Sequence, residues 1–156
     1  MSEHEMNAPQ GWEQFRYAEL VAYLPPDWPM TREAFEKEEN YWPIRCLKTV
    51  ARFPHWHKTW ITIGHTILNA NEGAPASYAP NTELCCALMC PVTLPNGELA
   101  RFTLDDGSCI DFLQVVPIYN SEMEYKLKHG FEALLQKLSD QGSLSVIDPH
   151  RPSCCP

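Results

Sequence analysis

The chain has no run of about 18 uninterrupted apolar residues, so no segment of it reads as a membrane span. Its start, Met1-Ser-Glu-His-Glu-Met6, is acidic and carries no apolar stretch, which does not suit a secretory signal peptide. Together these features predict a cytoplasmic protein. Cations are scarce: 12 Lys and Arg stand against 20 Asp and Glu, a formal charge of −8. A nucleic-acid binder normally presents a basic face, so the balance argues against that class and suits a basic partner instead. There is no Gly-x-Ser-x-Gly, no phosphate-binding loop, no dinucleotide fingerprint and no His-Glu-x-x-His. Nothing calls for a cofactor, and the chain reads as a non-enzyme.

A disulfide pattern is missing too. The seven cysteines, Cys46, Cys85, Cys86, Cys90, Cys109, Cys154 and Cys155, are odd in number, and in a reducing compartment they stay thiols. Most sit in apolar, strand-like sequence, where Cys behaves as a small hydrophobe. Cys154-Cys155 are expected on an exposed tail. Cys85-Cys86-x3-Cys90 lacks the paired spacing of a zinc site, and adjacent strand residues point to opposite faces. His55-x-His57, with His65 nearby, has no carboxylate or cysteine at ligand spacing, and Arg52, Trp56 and Lys58 around it read as a solvated bend. No metal site is expected.

What is present is material for one core. Hydrophobic residues make up 44% of 156, enough for a single domain without staples. Residues 1–13 read as loosely ordered. Phe15 to Leu24 is ambiguous between helix and strand. Pro25-Pro-Asp-Trp-Pro29 is a turn with an aromatic anchor, and Thr31 caps a helix over 32–39. Pro43 opens a second helix, with Ile44, Leu47, Val50 and Ala51 at helical spacing and Pro54 at its end.

Trp60–Leu68 reads as a strand, 69–81 as a loop, and Leu84–Leu94 as an apolar strand. Asn96-Gly97 and Asp106-Gly107 are tight turns on either side of a return strand, Leu99–Leu104. Ile110–Ile118 then completes an antiparallel meander, apolar on both faces and so covered on both sides. Gln114 on that strand needs a partner from a neighbouring loop. Ser121-x-x-Glu124 is a capping box for a last helix with Leu127, Phe131, Leu134, Leu135 and Leu138 on its apolar stripe, Glu124–Lys128 as a favourable pair, Gly130 as a break and Gly142 as a stop. The fold class is α+β: a central, largely antiparallel sheet with helices packed on it. Residues 1–142 form the domain and 143–156 a C-terminal tail.

Tyr17-Ala-Glu-Leu20, Leu24-Pro-Pro-Asp-Trp-Pro29, Tyr41-Trp-Pro43, Ala51-Arg-Phe-Pro54, Thr59-Trp60, Gly64-His-Thr-Ile67 and Phe112-Leu-Gln-Val-Val-Pro-Ile-Tyr119 occur in one order. This ordered set resembles the Suppressor of Fused family, most closely its single-domain bacterial members. The resemblance implies a central mixed, largely antiparallel sheet flanked by helices, and that 15–24 is a strand. It also implies that the chain starts inside the family pattern, at a turn formed by Met1-Ser2 followed by Met6-Asn-Ala-Pro9, and that an exposed sheet edge offers a route to a homodimer.

In function, the resemblance implies protein binding: animal members sequester a transcription factor, and bacterial members have been proposed as immunity proteins that neutralise toxins. An acidic domain would suit a basic toxin. The alternative is a small hydrolase or ligand-binding protein with a groove near His65. Trp28, in its proline-bound loop, His65, Tyr119 and Glu122 are the candidate binding residues. Each has a plainer explanation: aromatics fill cores, a half-buried His can be satisfied by backbone, and helix capping accounts for Glu122. Trp42 and Trp60 are expected inside.

Overall fold

Cys109–Ile118 is the longest strand of the sheet and its axis. The chain is described here by a computed structural model over residues 4–156. In order it forms β1 (Tyr17–Val21), α1 (Glu38–His57), β2 (Thr66–Leu68), β3 (Ala70–Asn71), β4 (Ala74–Pro75), β5 (Cys86–Pro91), β6 (Arg101–Thr103), β7 (Cys109–Ile118), α2 (Asn120–His129) and α3 (Phe131–Asp140), with single 3₁₀ turns at Glu13–Phe15 and Ala34–Glu36.

The main sheet runs β1-β7-β5-β2. β1 lies parallel to β7, with Tyr17 opposite Ile110 and Val21 opposite Gln114, while β5 and β2 are antiparallel to their neighbours. The sheet is mixed and the fold α+β. Phe15–Leu24 thus contributes a strand despite its helix-favouring residues, because pairing with β7 and burial of Ala18 outweigh local propensity.

The expected meander is corrected. β6 does not pair with β5 as a strand; it pairs with β7, Arg101 opposite Asp111, and a lone Thr93–Leu99 bridge is what remains of the expected hairpin ladder. Pro91 ends β5 just before that point, and β5 instead lies directly on β7 from Cys86–Ile118 to Pro91–Leu113. Arg101 Nε donates to Asp111 Oδ1 at 2.6 Å across β6 and β7.

β5 is buried along its first five residues because both sheet faces are covered. Ala87, Met89, Leu113 and Val115 face α1, which contributes Trp42, Cys46 and Val50. Cys86, Leu88, Cys90, Val116 and Ile118 face α3, which contributes Leu134 and Leu138. Each fully buried leucine contributes about 1.5–3 kcal/mol.

Several boundaries move. The helix expected over 32–39 is only the short Ala34–Glu36 turn, with Thr31 Oγ1 accepting from the Ala34 N–H at 3.1 Å. α1 starts at Glu38, so Pro43 lies inside it rather than in its first turn. Proline there leaves the Glu39 carbonyl without its helical donor, and Asn81 Nδ2 approaches that carbonyl at 3.4 Å. α1 also runs through Pro54 to a left-handed cap at Lys58, φ 48°. Of Trp60–Leu68 only Thr66–Leu68 pairs as a strand.

Residues 4–13 are not loose: Met6 is buried, and its N–H donates to the Arg16 carbonyl at 2.8 Å. Residues 1–3, part of the same expectation, lie outside the described residues. Leu127 leaves the expected apolar stripe and is 70% exposed, because Gly130 splits the last helix and turns α3 onto the sheet without it. Glu124 accepts from Asn120 Nδ2 at 2.7 Å instead of pairing with Lys128.

Candidate binding surface

Tyr119 and Glu122 are brought together, around a residue that no sequence signal singled out. Tyr119, not Ser121, is the N-cap of α2, and its N–H donates to Glu122 Oε2 at 2.9 Å. Arg151 then grips both carboxylate oxygens, Nη1 to Oε1 and Nη2 to Oε2, each at 2.6 Å. The Cys154 N–H adds a contact to Oε1 at 2.9 Å, and Nη2 also reaches the Pro117 carbonyl at 3.2 Å. The Tyr119 hydroxyl donates to the Arg151 carbonyl, and the guanidinium lies 5.1 Å from the Tyr119 ring centroid.

Glu122 is fully enclosed. Burial alone would raise its pKa; the Arg151 hydrogen bonds and charge, with the Cys154 and Tyr119 amides, outweigh it and hold the carboxyl below its ordinary value. Its carboxylate faces Arg151 and not an outside partner.

The same contacts fasten the segment after Gly142, which forms no helix or strand yet is packed along its length. Gln114 Nε2 donates to the Leu144 carbonyl at 2.7 Å, which is the loop partner its strand position requires. The Ile147 N–H donates to the Tyr23 carbonyl at 2.8 Å, and Thr82 Oγ1 to the Pro149 carbonyl at 2.8 Å. Ile147 is buried on the α1 side of the sheet and Cys155 on the α3 side, so the segment straps the two layers together. Cys155 is therefore not exposed, contrary to its expected place on a free tail.

Trp28 is half-buried against the α1 side of the core, and its indole N–H donates to the Asn40 carbonyl at 2.9 Å. His65 is half-buried, edge-on to Trp60 with centroids 5.1 Å apart. Burial and the Lys126 charge lower its pKa, while a hydrogen bond with the Trp60 backbone pulls the other way. Lys126 is itself held below its ordinary value by burial, and its Nζ lies 3.4 Å from Thr66 Oγ1. The groups that tune His65 are thus the Lys126 amine and the Trp60 backbone, not a hydroxyl, a thiol or a carboxylate.

Thiol chemistry is damped by burial. It pushes Cys46 up to about 11 and Cys86 and Cys90 up to about 12. Cys154 reaches about 12, through burial and then the Glu122 charge. Among the described residues, no three His, Cys, Asp or Glu side chains gather as a metal site. His55 and His57 stand two residues apart in the last turn of α1, so they do not share a face. His57 packs on Phe53, centroids 4.4 Å apart, and His55 on His4, 5.8 Å apart.

The outer flank of α1 is the surface that sequence reasoning passed over. Arg52 and Trp56, expected in a solvated bend, stand on regular helix, and Trp56 is 64% exposed. Beside them a groove of about 240 Å³ opens between α1 and β2, an edge strand. One signal was available: residues 40–71 contain no Asp or Glu, in an acidic chain.

The family model for the Suppressor of fused protein matches residues 1–152. The chain belongs to the Suppressor of Fused family. A crystal structure of the Sufu-Fu complex is similar to this family member with a TM-score of 0.62 at 16% identity, over 94% of this chain and 61% of that one. Drosophila Suppressor of Fused is similar with a TM-score of 0.57 at 17% identity, over 72% of this chain and 25% of that one. A Suppressor of Fused homologue from Neisseria gonorrhoeae FA 1090 gives a TM-score of 0.49 at 21% identity, over 72% of this chain and 56% of that one. The family domain described here therefore spans less than two thirds of each of these chains, and at the identities of the first two the likeness is one of fold. No curated protein sequence matches it. No helix among its described residues is long and apolar enough to cross a membrane.

Proposed function

We propose that this domain is a non-enzymatic protein-binding module of the cytoplasm. The observation that carries the reading is the family fold over 94% of the chain, shared with a Sufu chain crystallised as the Sufu-Fu complex. The chemistry of the interior supports it. The best-formed polar constellation, Glu122–Arg151–Tyr119, is spent on fastening the chain to itself. The thiols of Cys46, Cys86, Cys90 and Cys154 are held protonated at neutral pH, which disfavours a cysteine nucleophile. A hydrolase that pairs His65 with a hydroxyl, a thiol or a carboxylate lacks support, since the groups that shift its pKa are the Lys126 amine and the Trp60 backbone. Free cysteines suit a reducing compartment.

More narrowly, the partner is a toxin and the domain its immunity protein. The charge of −8 would speed association with a basic toxin. The test is co-expression in a bacterium of the domain with the product of the gene beside its own. Growth restored only when both are made supports immunity. A neighbouring product that is harmless alone, or still toxic beside the domain, overturns it.

A further inference from the structure

The outer flank of α1 concentrates positive charge in a chain that is otherwise acidic. Residues 40–71 hold Arg45, Lys48, Arg52 and Lys58 and no Asp or Glu, against a net charge of −8 for the whole. Arg45, Thr49, Arg52 and Trp56 fall at i, i+4, i+7 and i+11, which places them along one side of α1. Lys48 stands one row further out, three residues from Arg45 and four from Arg52.

Arg45 is committed inward: Glu38 Oε1 lies 2.5 Å from its Nη2, which also donates to the Tyr78 carbonyl. Lys48 and Arg52 have aromatic rather than acidic neighbours. Lys48 Nζ lies 2.9 Å from the Tyr41 hydroxyl, and the Arg52 guanidinium is 5.9 Å from the Trp56 ring centroid. Both are exposed.

Beside these cations lies the groove of about 240 Å³ between α1 and β2, lined by Arg45 and walled by Val50, Phe53, Trp56 and Ile67; Arg52 reaches it only through the Trp56 ring, and Lys48 stands outside its lining. A pocket of that size takes one or two apolar side chains, below the usual range for a drug-sized ligand. Among the described residues β2 pairs on one side only, with β5, so the groove floor meets a strand edge of the kind that accepts an added strand.

Resting on the protein-binding reading above, we infer that the α1–β2 groove is the binding face and that it takes an extended acidic peptide segment of the partner. One apolar side chain enters the groove over Phe53, and carboxylates on either side of it meet Lys48 and Arg52. Charge complementarity selects the occupant: with Arg45 paired to Glu38, Lys48 and Arg52 are the cations whose contacts among the described residues are aromatic rather than acidic, and the groove beside them is largely apolar. A phosphate backbone or a lipid headgroup would use the cations but leave the groove empty. The negative charge of the whole chain governs long-range approach, and this flank governs which segment of the partner is seated.

The test uses the full chain and a random 12-residue peptide library displayed on phage. Peptides enriched for Asp and Glu around a single Leu, Ile, Phe or Trp are expected. A synthetic copy of the best one should lose about tenfold in affinity for the Lys48→Glu/Arg52→Glu variant, the sum of two exposed charge contacts. Trp56→Ala should weaken the same peptide, and Lys128→Glu, on an exposed face of α2, should leave it unchanged. Circular dichroism confirms that each variant is folded.

Enrichment of neutral or basic peptides, no enrichment, equal binding by the charge-reversed variant, or binding to phosphatidylserine vesicles in place of peptide overturns the inference. A native partner captured equally by wild type and Lys48→Glu/Arg52→Glu would overturn this face while leaving protein binding intact. Absence of any native partner would remove the underlying reading instead.

Discussion

Arg151 and Glu122 form a two-pronged ion pair, both contacts 2.6 Å, across 29 residues of chain and with both side chains buried. It joins the first turn of α2 to a segment without helix or strand. Both partners also use their remaining capacity, Glu122 on the Tyr119 and Cys154 amides and Arg151 on the Pro117 carbonyl. A buried pair satisfied in this way is costly to halve, because the surviving charge stays out of water.

Arg151→Met should therefore cost about 3–5 kcal/mol, measured by urea denaturation, as it leaves Glu122 buried and unpaired. Adding Glu122→Gln to it should cost less than the two single losses summed, by about 0.5–3 kcal/mol of coupling. Strictly additive losses would mean that the two side chains do not act as a pair.

Stability should fall in acid through Glu122. Its carboxyl is held below the ordinary 4.5, so the folded chain binds that proton less readily than the unfolded one. The contribution is complete above about pH 4.5 and is lost as the pH drops through the lowered value. Glu122→Gln should flatten this part of the stability–pH curve.

His65 acts in a higher window with the same sign. Its pKa lies below the ordinary 6.5, so protonation favours the unfolded chain. Stability should be constant above pH 6.5 and decline as the pH falls from there through the lowered value. His65→Gln should remove that decline; an unchanged curve would mean the ring is freely hydrated.

Gly64 links β2 to α3. Its φ is +83°, and a Cβ there would stand 3.3 Å from the Phe131 Cγ. Gly64→Ala should cost about 1–2 kcal/mol from the backbone alone, with the crowding of Phe131 added. Thermal unfolding measures it, and a Phe131→Leu background should recover the crowding part.

Much of this fold was legible because apolar patterning is local. Ile110–Ile118 read as a strand covered on both faces, and the two core layers confirm it. The Gly130 break and the need of Gln114 for a loop partner were also readable from single positions. What escaped was set by distant contacts. β6 reads as the hairpin partner of β5, yet register with β7 wins. The 143–156 segment has no periodicity, so nothing local announces that Ile147, Arg151 and Cys155 are buried. Of the residues named for binding, Tyr119 and Glu122 proved to be joined by Arg151, whereas Trp28 and His65 sit in separate aromatic and backbone contacts. The α1 flank was visible only as an absence of acidic residues.

The central claim, that the domain works by binding another protein, is tested most directly by affinity capture of the tagged full chain from its native host. Titration calorimetry with the purified partner then follows. The account predicts a specific partner, absent from a tag-only control, that binds one to one with a dissociation constant at or below about 1 μM, roughly −8 kcal/mol. No partner above the control, or a captured protein that shows no heat of binding, would contradict it.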